Sequence, residues 1–183
     1  MTRTSYMQNR GFTLMEVLVA LVIISIGVLG IAAMEATAIA STHTSQTESL
    51  ASIEARSLAD AMLANPGYWG SGLFPTETFT VSAPAAGSSI GTVSDTTLAG
   101  ETTNCATTQC TAQQLAGYDV QKWGWQLNNQ VPGATASISC KPVNPYTCSI
   151  TVLWTQKATA AINSGTQSTA TPTTMSYTLV NQF

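Results

Sequence analysis

The feature that most constrains this chain is a long apolar run near its beginning. Residues 11–34 read GFTLMEVLVALVIISIGVLGIAAM and hold a single carboxylate near their start, Glu16. A helix that spans a membrane needs about 20 apolar residues, and residues 12–34 meet that length. A charged side chain at the centre of such a helix costs roughly 2.5–3.5 kcal/mol, so it marks a functional site by default. We therefore expect residues 12–34 to be transmembrane and Glu16 to have a function.

The composition narrows the class of protein further. The chain has 183 residues, which is room for one domain of ordinary size beside the apolar segment. Charged residues make up 8% of it, and the formal net charge is −3. Arg3 and Arg10 precede the apolar run without any acid, as expected for a cytoplasmic flank. No basic cluster follows them, so we expect no nucleic-acid-binding surface.

Two ordinary explanations of the apolar run compete with a more specific one. A secretory signal peptide is the first, because Ala38-Ile39-Ala40 before Ser41 has the small residues of a cleavage site. A simple membrane anchor is the second. Neither explains the acid at Glu16 or the Gly11–Phe12 junction where the apolar run begins.

The run GFTLMEVLVALVII resembles the N-terminal signature of type IV pilins and of the pseudopilins of type II secretion systems. In that family a prepilin peptidase removes a short basic leader that ends in Gly. The new first residue, usually Phe, is N-methylated, and Glu stands at the fifth mature position. The resemblance implies a leader at residues 1–11, cleavage between Gly11 and Phe12, N-methylation of Phe12, and Glu16 as the fifth mature residue.

This resemblance also gives Glu16 a physical role. Cleavage would create a positively charged amine on Phe12 at the head of an apolar helix. An unpaired amine and an unpaired carboxylate are each costly in lipid or in a filament core, and pairing offsets both costs. The carboxylate of Glu16 would lie about 6 Å along the helix from that amine, or from a neighbouring subunit's amine. We expect Glu16 to set the register of an incoming subunit against a helix that is already in the filament.

The apolar run continues into an amphipathic pattern without any proline before Pro66. The predicted stripe consists of Leu50, Ile53, Ser57/Leu58 and Ala61/Met62, and the charged residues between them are Glu48, Glu54, Arg56 and Asp60. Asn65-Pro66-Gly67 is a strong signal for a helix end. We predict one helix over residues 12–64, whose residues 35–64 pack on a globular head at residues 65–183.

The head has the alternating apolar and polar pattern of a half-buried antiparallel sheet. The predicted strands are Phe74–Val81, Ala136–Cys140, Ser149–Thr155 and Met175–Val180. Residues 83–104 and 158–173 have the composition of loops. The predicted fold class is therefore α+β, with a long N-terminal helix packed on an antiparallel sheet, as in pilins.

One further helix is predicted over residues 111–129. Thr111 and Gln114 form a capping-box pattern at its start. Its apolar stripe consists of Ala116, Val120, Trp123 and Leu127. The segment CTAQQLAGYDVQKWGWQL, together with SITVLWT, resembles the C-terminal part of minor pilins of the PilV kind. Whatever the family, we expect Trp123, Trp125 and Trp154 to be core aromatics.

The four cysteines all lie in the second half of the chain, at Cys105, Cys110, Cys140 and Cys148. They allow three pairings, and the sequence alone does not select one. Local pairing of Cys105 with Cys110 and of Cys140 with Cys148 is favoured, because each pair brackets a short polar loop. A zinc site is the alternative, but the spacings lack the tight C-x2-C of most zinc ribbons. Disulfides would place this half outside the cytoplasm.

No catalytic site is expected. The segment Gly87-Ser88-Ser89-Ile90-Gly91 matches the G-x-S-x-G pattern of hydrolases, which needs a strand before it, a helix after it and a later histidine. The single histidine is His43, which precedes it. No phosphate-binding loop, metal-ligand motif or cofactor motif is present, so we predict a protein that is not an enzyme and uses no metal or cofactor.

The two resemblances together imply a minor type IV pilin, a structural subunit of a priming or tip complex that initiates pilus assembly. Its expected partners are the prepilin peptidase, other minor pilins, the major pilin and the inner-membrane assembly platform. Its head would lie in the periplasm before assembly and on the pilus afterwards. Two alternatives stay open: a pseudopilin of type II secretion, and a tip-displayed adhesive module that binds through its Thr/Ser-rich loops.

Overall fold

The computed structural model describes residues 11–75, 78–156 and 172–183, so the expected leader and most of the expected loop at 158–173 lie outside the described residues. The fold is α+β, as predicted. The helices are α1 (Leu14–Ala64), α2 (Pro66–Trp69), α3 (Thr96–Ala99) and α4 (Ala112–Gln130). The strands are β1 (Phe79–Ser82), β2 (Thr92–Val93), β3 (Thr135–Lys141), β4 (Thr147–Gln156) and β5 (Thr173–Gln182).

The chain divides into two compact units, Met1–His43 and Thr44–Phe183. The boundary lies inside α1, so the second half of that helix belongs to the same unit as the sheet. Helix α1 ends at Ala64, where the sequence Asn65-Pro66-Gly67 predicted its end. Pro66 then opens α2, a position where proline is tolerated because its missing N–H has no helical partner.

The five strands form one antiparallel sheet in the order β2-β1-β3-β4-β5. The register is continuous across its centre, where Ile138 of β3 lies between Phe79 of β1 and Ile150 of β4. The four predicted strands are present with shifted ends. The largest shift is in β1, which begins at Phe79 and leaves the buried Phe74 outside the strand.

The core lies between one face of the sheet and the two long helices of the Thr44–Phe183 unit. The buried residues of α1 are Ala51, Glu54, Ala55, Leu58, Ala59 and Met62. The predicted stripe was therefore partly wrong, because Ile53 is 58% exposed and the polar Glu54 is only 3% exposed. The small alanine side chains allow close packing of α1 on the core, and Glu54 is held by hydrogen bonds to α4.

Helix α4 agrees closely with its prediction. Thr111 and Gln114 form the capping box in both directions, and the four predicted stripe residues are buried. Trp123 and Trp154 are core aromatics, as expected. Trp125 is 42% exposed, so its assignment to the core was wrong. Residues two apart on a helix do not share a face, and Trp123 takes the buried position.

The segment predicted as a loop at residues 83–104 contains a strand, β2, and a helix, α3. Asp95 caps α3 by accepting a hydrogen bond from the main-chain N–H of Leu98. The buried Gln121 of α4 holds the segment in place, because its Nε2 donates to the carbonyl oxygens of Leu98 at 2.6 Å and Glu101 at 2.9 Å. The prediction missed these elements since they depend on this distant partner.

Candidate processing and assembly site

The expected processing site lies directly before the first turn of α1. Gly11, Phe12 and Thr13 are not helical. The main-chain N–H of Glu16 donates to the hydroxyl of Thr13 at 3.3 Å and to its carbonyl oxygen at 3.1 Å. Thr13 therefore caps α1, which begins at Leu14 and not at Phe12. The Thr-x-x-Glu spacing is a capping pattern, and the sequence prediction overlooked it.

Glu16 lies in the first turn of α1. The unpaired N–H groups of a helix start carry a partial positive charge, which favours an acidic side chain at this position. The position of Glu16 is thus favourable for a carboxylate before any partner is considered. Its neighbours along the helix are apolar and exposed.

The first part of α1 presents its apolar side chains outward on all sides. Every residue from 11 to 39 is exposed, and Phe12 is 81% exposed. Among the described residues, α1 is the one helix long and apolar enough to cross a membrane. Monomeric soluble proteins rarely expose so large an apolar surface, so this segment requires lipid or other subunits around it.

A family model described as the prokaryotic N-terminal methylation motif matches residues 6–32. The matched region contains Gly11, Phe12 and Glu16. This motif supports a protein of the pilin or pseudopilin type, implies processing by a prepilin peptidase and fits anchoring in the inner membrane before assembly. It also points to a structural role and not an enzymatic one. No curated protein and no solved structure is similar enough to the chain to count as a match.

The head carries two disulfides. Cys105 pairs with Cys110, directly before the cap of α4, and Cys140 pairs with Cys148. Cys140 and Cys148 are also direct partners in the register of β3 and β4, with their Cα atoms 4.0 Å apart. These are the two local pairings that the loop lengths favoured. The alternative zinc site would have no thiolate left to bind with.

Helix α4 is joined to α1 through Glu54. The indole Nε1 of Trp123 donates to the main-chain oxygen of Glu54 at 2.8 Å, and Nε2 of Gln126 donates to its carboxylate Oε1 at 3.1 Å. The other carboxylate oxygen, Oε2, has no hydrogen-bond partner among the described residues. Burial raises the pKa of Glu54, and the hydrogen bond from Gln126 opposes that rise.

Two other titratable groups in the described part of the chain have raised pKa values. Burial, with smaller contributions from the charges of Asp95 and Glu101, raises the pKa of Tyr68 to about 12, so its phenol stays protonated. Burial also raises the pKa of Asp119. Within residues 11–75, 78–156 and 172–183, no three His, Cys, Asp or Glu side chains are grouped to hold a metal ion.

Proposed function

We propose that this chain is a minor type IV pilin, a subunit of a priming or tip complex that initiates pilus assembly. The observation that carries the proposal is the combination of Gly11, Phe12 and Glu16 in one methylation motif, at the head of a helix whose apolar residues are exposed up to residue 39. The prepilin peptidase would cut between Gly11 and Phe12, and Phe12 would be N-methylated. Before assembly, the mature chain would be anchored in the inner membrane with its head in the periplasm.

The capped start of α1 supports a specific role for Glu16 in this process. Before cleavage, residue Phe12 has an ordinary peptide nitrogen and no charge. After cleavage it has an amine, and Glu16 lies about one helical turn away. A carboxylate and an amine that both enter an apolar environment are stabilised by pairing, within one subunit or between two. Subunits in which the pair is out of register would leave two buried charges unpaired.

The head supports a pilus subunit over a pseudopilin of type II secretion. Two disulfides and long Ser/Thr-rich segments suit a head exposed at the outer cell surface. The proposed partners on this reading are other minor pilins, the major pilin and the inner-membrane assembly platform. The likeness of residues 110–127 to minor pilins of the PilV kind supports the same choice.

The first experiment is the intact mass and N-terminal residue of the mature protein, purified from the membranes of its own cells. The proposal expects a chain that starts at Phe12 and carries one methyl group on its amine. A chain that starts at Ser41 would contradict it, because Ala38-Ile39-Ala40 would then end an ordinary signal peptide and Glu16 would be discarded.

A second experiment separates the pilus from the secretion system. The gene is deleted, and surface pili, secretion of a reporter substrate and adhesion are each measured with and without complementation. The proposal expects fewer pili and unchanged secretion. Loss of secretion with normal pili would identify a pseudopilin. Normal pili and normal secretion with lost adhesion would identify an adhesive module.

A further inference from the structure

Among the strands that the structure describes, β5 is at an edge of the sheet. It pairs with β4 along all ten of its residues, from Thr173 opposite Gln156 to Gln182 opposite Thr147. Within the described part of the chain, no strand pairs with its other side. An open edge presents unpaired N–H and C=O groups at regular intervals, which is a template for a further strand.

This edge has none of the features that usually prevent pairing. Native edge strands are protected by lysines or other charges, by proline, by bulges or by being very short. The sequence of β5, TTMSYTLVNQ, contains no charged residue and no proline. Its register with β4 is uninterrupted, so no bulge turns it away. The opposite edge of the sheet, β2, is only two residues long.

A groove lies under this edge, between β5 and α1. It has a volume of about 340 Å³. Its lining residues are Ser45, Glu48, Ser49, Ser52 and Tyr177. The inward side chains of β5 beside it are only partly buried, although they pack against the core. A strand added to β5 would direct every second side chain toward this groove, over the short serines of α1.

We infer that the edge of β5 binds an extended segment of another protein that has apolar side chains at alternate positions and no acidic side chain facing inward. The backbone groups of β5 would supply the affinity, and the groove would supply the specificity. Glu48 is the charged residue that lines the groove, so a carboxylate on the inward side of the segment would be repelled.

The test uses the full mature chain in detergent micelles and a defined peptide. The probe is a fluorescently labelled copy of Thr147–Gln156 with Cys148→Ser, because this sequence is a strand of the fold with apolar side chains at alternate positions and no acidic residue. A peptide of the same composition in scrambled order controls for partition into the micelle. Binding is followed by fluorescence anisotropy, and protection of the β5 amides by hydrogen–deuterium exchange.

The expected result is saturable binding of the ordered peptide that slows exchange in β5, and at least tenfold weaker binding of the scrambled one. Ser49→Phe, which fills the groove without changing β5, should weaken binding at least tenfold. Ser57→Phe, at an exposed position of α1 outside the groove, is the matched control and should leave binding unchanged. This readout does not depend on filament assembly, so it can fail or succeed independently of the proposed pilin role.

Four results would overturn the inference. Slow exchange of the β5 edge in the free chain at every concentration would mean that the chain covers this edge itself. Slow exchange that is lost on dilution would mean that a second copy covers it. Binding without protection of β5, or equal loss of binding in Ser49→Phe and Ser57→Phe, would place the peptide elsewhere.

Discussion

The indole N–H of Trp123, in the middle of α4, donates a hydrogen bond of 2.8 Å to the main-chain oxygen of Glu54, near the end of α1. Both residues are buried, at 5% and 3% exposure. The contact lies within the Thr44–Phe183 unit and joins α4 to the part of α1 that belongs to that unit. It therefore contributes to the stability of the head.

The change Trp123→Phe removes this donor and part of the buried ring. We expect it to lower the free energy of unfolding by about 1–3 kcal/mol, from the lost hydrogen bond and the space left by the smaller ring. Chemical denaturation followed by circular dichroism measures this. Trp125→Phe is the matched control, because Trp125 is exposed, and it should change stability by less than about 0.5 kcal/mol. Equal losses in the two variants would contradict the assigned roles.

The buried carboxyl of Glu54 predicts how the stability of the head depends on pH. Its pKa in the folded state is raised by burial above the ordinary value of 4.5. The folded state therefore holds a proton over a range of pH in which the unfolded state has released it. The free energy of unfolding should fall as the pH rises from the ordinary value through the raised one.

The variant Glu54→Gln removes this titration and should flatten that part of the pH profile of stability. Asp119 also has a pKa raised by burial, so its contribution has the same sign and remains in both proteins. The difference between the wild-type and Glu54→Gln profiles therefore measures the contribution of Glu54 to the pH dependence of stability. Ser57→Ala, at an exposed position of the same helix that carries no titratable group, is the control and should leave the slope unchanged. An unchanged slope in Glu54→Gln would show that Glu54 does not titrate in this range.

The sequence predicted those parts of the fold that depend on local patterns. The capping box of α4, its buried stripe and the end of α1 before Pro66 follow from residues within a few positions of one another. The strands followed from alternation, although their ends did not. The order of the strands was not predicted, because pairing depends on contacts between distant segments.

The sequence predictions were wrong where the structure depends on contacts between residues that are distant in the sequence. Glu54 looked like a solvent-facing residue, and its burial depends on Trp123 and Gln126. Helix α3 lies in a Ser/Thr-rich segment and is held by Gln121. At the candidate site, the resemblance to pilins pointed to Gly11 and Glu16, and the matched methylation motif at residues 6–32 contains both. The cap by Thr13 was also encoded locally, and it was missed because the apolar run dominated the interpretation.

The two disulfides should contribute unequally to stability. The link between Cys140 and Cys148 is buried and joins the two central strands β3 and β4, with a sequence separation of 8. The link between Cys105 and Cys110 closes a shorter loop, with a separation of 5. A longer closed loop restricts the unfolded chain more. Replacing the first pair by alanine should therefore cost about 2–3 kcal/mol, and replacing the second should cost less.

Thermal and chemical denaturation of the two double variants, each with the other disulfide intact, measures this order. The expected result is a lower melting temperature for the variant that lacks Cys140 and Cys148. A larger loss in the variant that lacks Cys105 and Cys110 would show that the loop before α4 matters more than the link within the sheet.

The proposed role of Glu16 predicts a defect in assembly without a defect in processing. Glu16→Val removes the carboxylate that would pair with the amine of Phe12. Because the Gly11–Phe12 junction is unchanged, the variant should still be cut and methylated, and the intact mass tests this. Its incorporation should fall at least tenfold, since an unpaired amine would enter an apolar environment. The ratio of the chain in sheared pili to the chain in membranes measures incorporation.

Glu35→Val is the matched control for this experiment. Glu35 is a second exposed acid of α1, just beyond the apolar run at residues 12–34, and its replacement leaves the carboxylate of Glu16 in place. We expect this variant to be processed and incorporated normally. Glu16→Gln, which keeps the size of the side chain and removes only its charge, should behave like Glu16→Val. If both Glu16 variants enter pili at the wild-type ratio, pairing with the amine does not guide assembly, and the carboxylate then contributes only to the capped start of α1.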